Sequence, residues 1–245
     1  MFRAIISAEI LQDAIKAASS VVDEARFEIA PEGLSARAVD PANAAMISLE
    51  LSKDAFVLFE GTEGEIGIDL SRFTDILGMA GKSDEIELKL DPDTHKLDIS
   101  MGGFSYTLAL LDPSTLRNAP VVPALDLPAE ITISENVFKR MIKAAEMVSD
   151  HMSVGVQNGI FVMEAVGDSD HVRLDLTGSD LIAITPADVK SLYSLDYLSD
   201  IGKGVGGAGE ITIHLGRDLP VVIQFEFAAG ECTVKYVLAP RIESD

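Results

Sequence analysis

The chain has 245 residues, enough for one large domain or two small ones with cores of their own, and 47% of them are apolar, which excludes a disordered acidic chain. It carries 19 Lys+Arg against 40 Asp+Glu, a formal net charge of -21, so most of its surface repels nucleic acid. A single cysteine, Cys232, excludes an internal disulfide framework and a cysteine-rich zinc site.

In chain order, the opening "MFRAIISAEI" lacks a long apolar stretch and a cleavage site, so no signal peptide is read. No apolar run reaches the ~18 residues of a membrane helix. Both points predict a cytoplasmic protein with no membrane partner. "SAEILQDAIKAASSV" (Ser7 to Val21) reads as a short strand running into an amphipathic helix, and "FEIA" and "AMISLEL" follow as alternating strands. A second helix begins near Leu70 and ends in glycine; "EIELKL" then alternates as a strand. "RNAPVVPALDLP" (Arg117 to Pro128) has three prolines and no helical period, and reads as an extended linker.

Beyond the linker the pattern starts again. "SENVFKRMIKAAEMV" (Ser134 to Val148) lies over Ser7 to Val21 without a gap at an offset of 127. Leu195 to Leu215 lies over Leu70 to Leu90 at an offset of 125, and "VKYVLAP" lies over "TLALLDP" at 127. Three matches in one order predict two tandem copies of an α+β module, each with two helices packed on antiparallel sheet. The expected division is 1–116, a linker 117–128, and 129–245. In the second copy Val137, Phe138, Met141, Ile142, Ala145 and Val148 form the buried helical stripe, with Ser134 as N-cap.

Catalytic chemistry is hard to find. "GKGVGGAG" contains Gly204-x-Gly206-x-x-Gly209, but a dinucleotide fingerprint needs a strand before it and a helix after it. Here the order is helix, glycines, strand, so a flexible loop is the expectation. "DPDTH" (Asp91 to His95) and "DSDH" (Asp168 to His171) read as acidic turns between strands, not as metal ligands, since no second cluster has ligand spacing. His151 and His214 are scattered, Cys232 reads as strand packing, and no nucleophile has a visible base. No enzyme activity, cofactor or metal is expected.

The segment "FKRMIKAA" stands out against the acidic background. Lys139, Arg140 and Lys143 fall within five residues and lie off the apolar stripe. Lys16, Arg72, Lys82 and Lys203 are the other helix-face cations expected. Long basic side chains without interleaved aromatics suit contact with phosphates without base reading. A solvated helix face is the plain alternative.

Four stretches carry a family resemblance: "SARAVDPANAAM" (Ser35 to Met46), "SYTLALLDPSTLR" before the linker, "SLDYLSDI" in the second half, and the ending "VLAPRIESD". Together they resemble the archaeal sliding clamp, the homologue of proliferating cell nuclear antigen, over essentially the whole chain. The resemblance implies a closed homotrimeric ring with pseudo-six-fold symmetry. Its helices line a hole that holds duplex DNA without sequence preference. It also implies a clamp loader as partner, and polymerase, flap endonuclease and ligase tethered through partner peptides.

By matching motif, the resemblance places a partner-peptide pocket at Val39, Met46, Leu125, Leu127, Pro220, Val237, Ala239 and Pro240. It places the subunit contact at Tyr106, Thr107, Leu108, Ala109, Leu110 and Leu111 against Arg173, Leu174, Asp175, Leu176 and Thr177 of the next copy. One departure is plain. Gln12, Asp13 and Ser19 stand where the family's first helix often carries cations, leaving Lys16 alone, and Asp75 and Gly78 stand at second-helix places that can hold lysine. The DNA-facing charge is therefore expected mainly from the second copy. A clamp-family scaffold or mixed-ring subunit, and an acidic two-domain enzyme, are the competing readings.

Overall fold

The computed structural model describes residues 2–91, 93–121 and 123–241. They form two compact units. The first takes 2–41, 46–119 and 226–234; the second takes 42–45, 120–225 and 235–241.

The first half runs β1 (Phe2–Ser7), α1 (Ala8–Ser19), β2 (Glu24–Ala30), β3 (Gly33–Val39), β4 (Ala45–Ser52), β5 (Phe56–Gly61), β6 (Gly64–Asp69), α2 (Leu70–Leu77), β7 (Glu85–Asp91), β8 (Lys96–Met101) and β9 (Phe104–Ala109). One sheet has the order β5-β1-β7-β8-β9, and β4, β3, β2 and β6 are hydrogen-bonded in that order. All the pairings are antiparallel. Alternation places Phe2, Ala4 and Ile6 of β1 in the core, while α1 buries Leu11, Ala14, Ile15 and Ala18. Gly33 is required where it stands. Its φ is +148°, and a Cβ there would lie 2.0 Å from the Leu51 carbonyl oxygen.

The second half runs β10 (Ala129–Ser134), α3 (Glu135–Ala145), β11 (His151–Gln157), β12 (Ile160–Val166), β13 (His171–Leu176), β14 (Ala183–Thr185), β15 (Val189–Ser194), α4 (Leu195–Gly204), β16 (Glu210–Leu215), β17 (Val221–Phe227) and β18 (Cys232–Leu238). Its sheets have the orders β13-β12-β11-β15 and β14-β10-β16-β17-β18. The Ser134 side chain accepts from the Asn136 amide at 3.3 Å, the N-cap that a serine at this position predicts. The described residues of 117–128 contain neither helix nor strand.

The repeat extends to single hydrogen bonds. The Ala8 amide donates to the Asp84 carbonyl at 2.9 Å, and the matching Glu135 amide donates to Gly209 at 3.0 Å. Leu70 donates to Asp23 at 2.8 Å, and Leu195 to Asp150 at 2.9 Å. Leu111 donates to Gly67 at 2.9 Å, and Arg241 to Leu192 at 2.7 Å. Each copy thus fastens the start of both helices by the same backbone bonds, while the last bond is made three residues later in the second copy, since Leu111 matches Leu238 and not Arg241.

The glycine run has the order helix, loop, strand: Gly204 ends α4, and Gly209, at φ +68°, leads into β16. Asp91 ends β7, and its carboxylate accepts from the Asp93 amide at 2.9 Å and the Thr94 hydroxyl at 2.7 Å in the turn that follows. Those bonds hold its pKa below the usual carboxylate value. Among the described residues no three His, Cys, Asp or Glu side chains are grouped to hold a metal. Cys232 is buried on β18, and burial pushes its thiol pKa up, away from reactive thiolate. No described helix is long and apolar enough to cross a membrane.

Candidate nucleic-acid interface and partner pocket

The amphipathic pattern of α3 decides where its cations point. Phe138, Met141, Ile142 and Ala145 are buried, which leaves Arg140 and Lys143 exposed on the opposite side. Lys139 is half-buried and lies 3.3 Å from Glu135 one turn back. Arg140 and Lys143 have no ion pair among the described residues. The helix carries three cations against one acid. The other three do not share this excess: α1 has Lys16 against Glu9 and Asp13, α2 has Arg72 against Asp75, and α4 has Lys203 against Asp196 and Asp200. Lys16, Arg72, Lys82 and Lys203 are exposed, but Lys82 is not on a helix face, because α2 ends at Leu77. Two of these four are already engaged: Lys82 lies 3.3 Å from Glu9, and Lys203 lies 2.8 Å from Asp200.

The structure gives a reason for the missing cation at position 12. Gln12 Nε2 donates to the Leu77 carbonyl at 2.7 Å and the Ala80 carbonyl at 3.1 Å. It adds a donor to the Leu77 carbonyl, which also accepts from the Ala80 amide at 3.0 Å, and to the Ala80 carbonyl past the end of α2. In the second copy the corresponding tie between helices comes from Glu135. Its Oε2 accepts from the Ala208 and Gly209 amides at 3.0 and 3.2 Å, beyond the end of α4.

In the second unit, Leu125 and Leu127 stand over a concavity of about 460 Å³ shared with Val237, His214 and Lys235. Both leucines are half-exposed, so no core absorbs them. Pro220, Ala239 and Pro240 are also half-exposed, while Val237 is buried. Val39 and Met46 belong to the first half, as Cα partners across β3 and β4, and both are buried there.

β9 and β13 each end a sheet. β9 pairs with β8 and lies at the end of its order; β13 pairs with β12 and lies at the end of its own. β9 stops at Ala109, so Leu110 and Leu111 of the expected contact segment lie beyond it, Leu111 bridging back to Gly67. Leu108 and Leu176 are buried in their own units. Tyr106 and Leu174 are half-buried; Thr107, Ala109, Arg173, Asp175 and Thr177 are exposed. Glu164, beside β13, is met by His171 at 2.9 Å, Arg173 at 3.3 Å and Lys190 at 3.4 Å. The His171 hydrogen bond leads the interactions that lower its pKa.

The model of the proliferating cell nuclear antigen N-terminal domain matches residues 1–102. The DNA polymerase sliding clamp of Methanocella arvoryzae is 54% identical over 246 residues, and that of Methanococcoides burtonii 53% over 245, each covering 100% of both chains. The chain belongs to the DNA polymerase sliding clamp family.

Among solved structures, the clamp of A. fulgidus with the C-terminal region of FEN-1 bound is 37% identical, with a TM-score of 0.94 and full coverage of both chains. The clamp of Thermococcus kodakaraensis is 27% identical at a TM-score of 0.91, covering 98% of this chain and 100% of that one. Sliding clamps are processivity factors of DNA replication and not enzymes. For this clamp the residues that sequence patterning missed are Gln12, Glu135, His214 and Lys235. The first two act through loop backbone and the last two through a fold-dependent neighbourhood, so no periodic signal marks them.

Proposed function

We propose that three copies of the chain close into a ring with pseudo-six-fold symmetry around duplex DNA, each contributing domains 1–116 and 129–245 joined by 117–128. The observation that carries this reading is α3, whose exposed side is basic in a chain of net charge -21. A ring holds DNA by enclosing it, so it needs only a weak, mobile, sequence-independent attraction to phosphate. Arg140 and Lys143 supply most of that attraction; Lys139, Lys16, Arg72, Lys82 and Lys203 add less, three of them being already paired with acids.

The unpaired edges support the same reading. β9 and β13 differ in sequence, so their pairing is head-to-tail and closes into a ring when the rotation allows. The concavity under Leu125 and Leu127, with Pro220, Val237, Ala239 and Pro240, takes a partner peptide. By likeness to the A. fulgidus clamp, flap endonuclease is one owner of such a peptide. Polymerase, ligase and the clamp loader are the others, and the setting is cytoplasmic.

The test is the triple variant Lys139→Glu, Arg140→Glu, Lys143→Glu, assayed for retention on closed circular DNA and for mass in solution. The expected result is an intact trimer that slips off DNA at moderate salt and no longer stimulates polymerase. Full retention by that trimer would reduce the stripe to a solvated face.

A further inference from the structure

We propose that the concavity beneath Leu125 and Leu127 reads a carboxylate on the partner segment, placed beside its apolar residues, and that Lys235 with His214 is the reading group. The inference rests on the partner-pocket reading and adds a chemical class to it.

The lining has two characters. Leu125, Leu127 and Val237 form an apolar wall, while His214, Gln224 and Lys235 form a polar end. Lys235 is exposed on β18 and has no ion pair among the described residues. Burial is the main cause that lowers the His214 pKa; Glu130, 3.5 Å from Nδ1, works in the opposite direction, and Lys235 adds to the lowering. Glu130 is more than half exposed, so water screens most of its charge.

An acidic ligand is repelled by a surface with 40 acids against 19 cations. A local cation beside an apolar wall is therefore selective: it admits a carboxylate that the surrounding surface rejects. A nucleic-acid phosphate fits less well, because leucines frame the opening and no Phe, Tyr or Trp lines the concavity to stack a base. An acidic-apolar peptide uses both ends of the lining at once.

The experiment uses the full chain and a synthetic peptide of the FEN-1 C-terminal region, with each position changed in turn to Glu. Binding is measured by fluorescence anisotropy. For the wild-type chain, at least one Glu position should tighten binding about two- to fivefold at low salt. That gain should fade at high salt and vanish in Lys235→Met. Absence of any tightening Glu position, persistence of the gain in Lys235→Met, or competition by a single-stranded oligonucleotide for the same gain would each overturn the inference. If the parent peptide itself does not bind, the partner-pocket reading falls and this inference with it. Parent binding without a Glu gain removes the inference alone.

Discussion

Glu135 Oε1 lies 3.3 Å from Lys139 Nζ, one turn along α3, while its other oxygen holds the Ala208 and Gly209 amides. One carboxylate thus joins α3 to the loop after α4 and partly neutralises a cation of the basic stripe on α3. Its side chain is only 14% exposed, so its hydrogen bonds are poorly replaced by water.

Replacing Glu135 by alanine should act in two directions. Stability should fall by about 1–3 kcal/mol, because two loop amides lose a charged acceptor. DNA retention should persist to higher salt, because Lys139 is released towards phosphate. Urea titration and a salt series on closed circular DNA read the two effects separately. A loss of stability without a gain in salt resistance would remove Lys139 from the DNA-facing set.

Tyr193 is fully buried on β15 and its hydroxyl donates to the Leu219 carbonyl at 2.9 Å. Burial is the main cause that pushes its pKa from 10.0 to about 12. The folded state therefore keeps a proton that the unfolded chain releases. Its contribution is complete below pH 10 and is lost as pH rises to about 12. Tyr193→Phe should cost about 0.5–1.5 kcal/mol at neutral pH, leaving the Leu219 carbonyl without this donor. The gap between the two proteins should close across that alkaline window. A constant gap, measured by urea titration at each pH, would contradict this assignment.

The two-copy plan was legible because it rests on apolar spacing, and spacing is local. Ser7 to Val21 and Ser134 to Val148 share a period, and that period requires a buried side whatever surrounds it. Ser134 was legible as a cap for the same reason. Gln12 was not: from sequence it is a missing cation, and its partners at Leu77 and Ala80 lie across a helix pair. The same holds for Lys235 and His214, which sit on different strands and meet only when β16, β17 and β18 align. Leu110 and Leu111 show a further limit. Their apolar run continues β9 in sequence, but the strand ends at Ala109 because Leu111 turns to pair with Gly67.

Leu125 and Leu127 test the partner pocket directly. Each Leu→Ala change should weaken binding of the FEN-1 C-terminal peptide by about 1–3 kcal/mol if the side chain is buried under the ligand. Ring mass should not change, since these residues lie outside every described strand. Calorimetry on the double variant decides: unaltered affinity would move the peptide site away from this concavity.

The last prediction concerns which sheet edge meets the neighbouring copy. The five-stranded sheet has two free ends, β5 and β9, and each exposes a large apolar residue: Val57 on β5 at 67% and Phe104 on β9 at 57%. Phe104 is not isolated. Its ring lies 6.4 Å from that of Tyr106, whose hydroxyl contacts the Met79 sulfur at 3.1 Å, and Met79 is itself 49% exposed. Such a cluster beside an unpaired strand has the character of a covered surface, whereas a single exposed valine is ordinary. Burying Phe104 against another copy is worth about 1.5–3 kcal/mol per contact, and a carboxylate placed there adds a desolvation cost. Phe104→Glu should therefore weaken self-association at least about tenfold and yield monomers at low micromolar concentration. Val57→Glu should leave the trimer intact. Both chains should unfold normally in urea, since neither side chain belongs to the core. Light scattering separates the alternatives: monomers from Val57→Glu and a trimer from Phe104→Glu would transfer the subunit contact from β9 to β5.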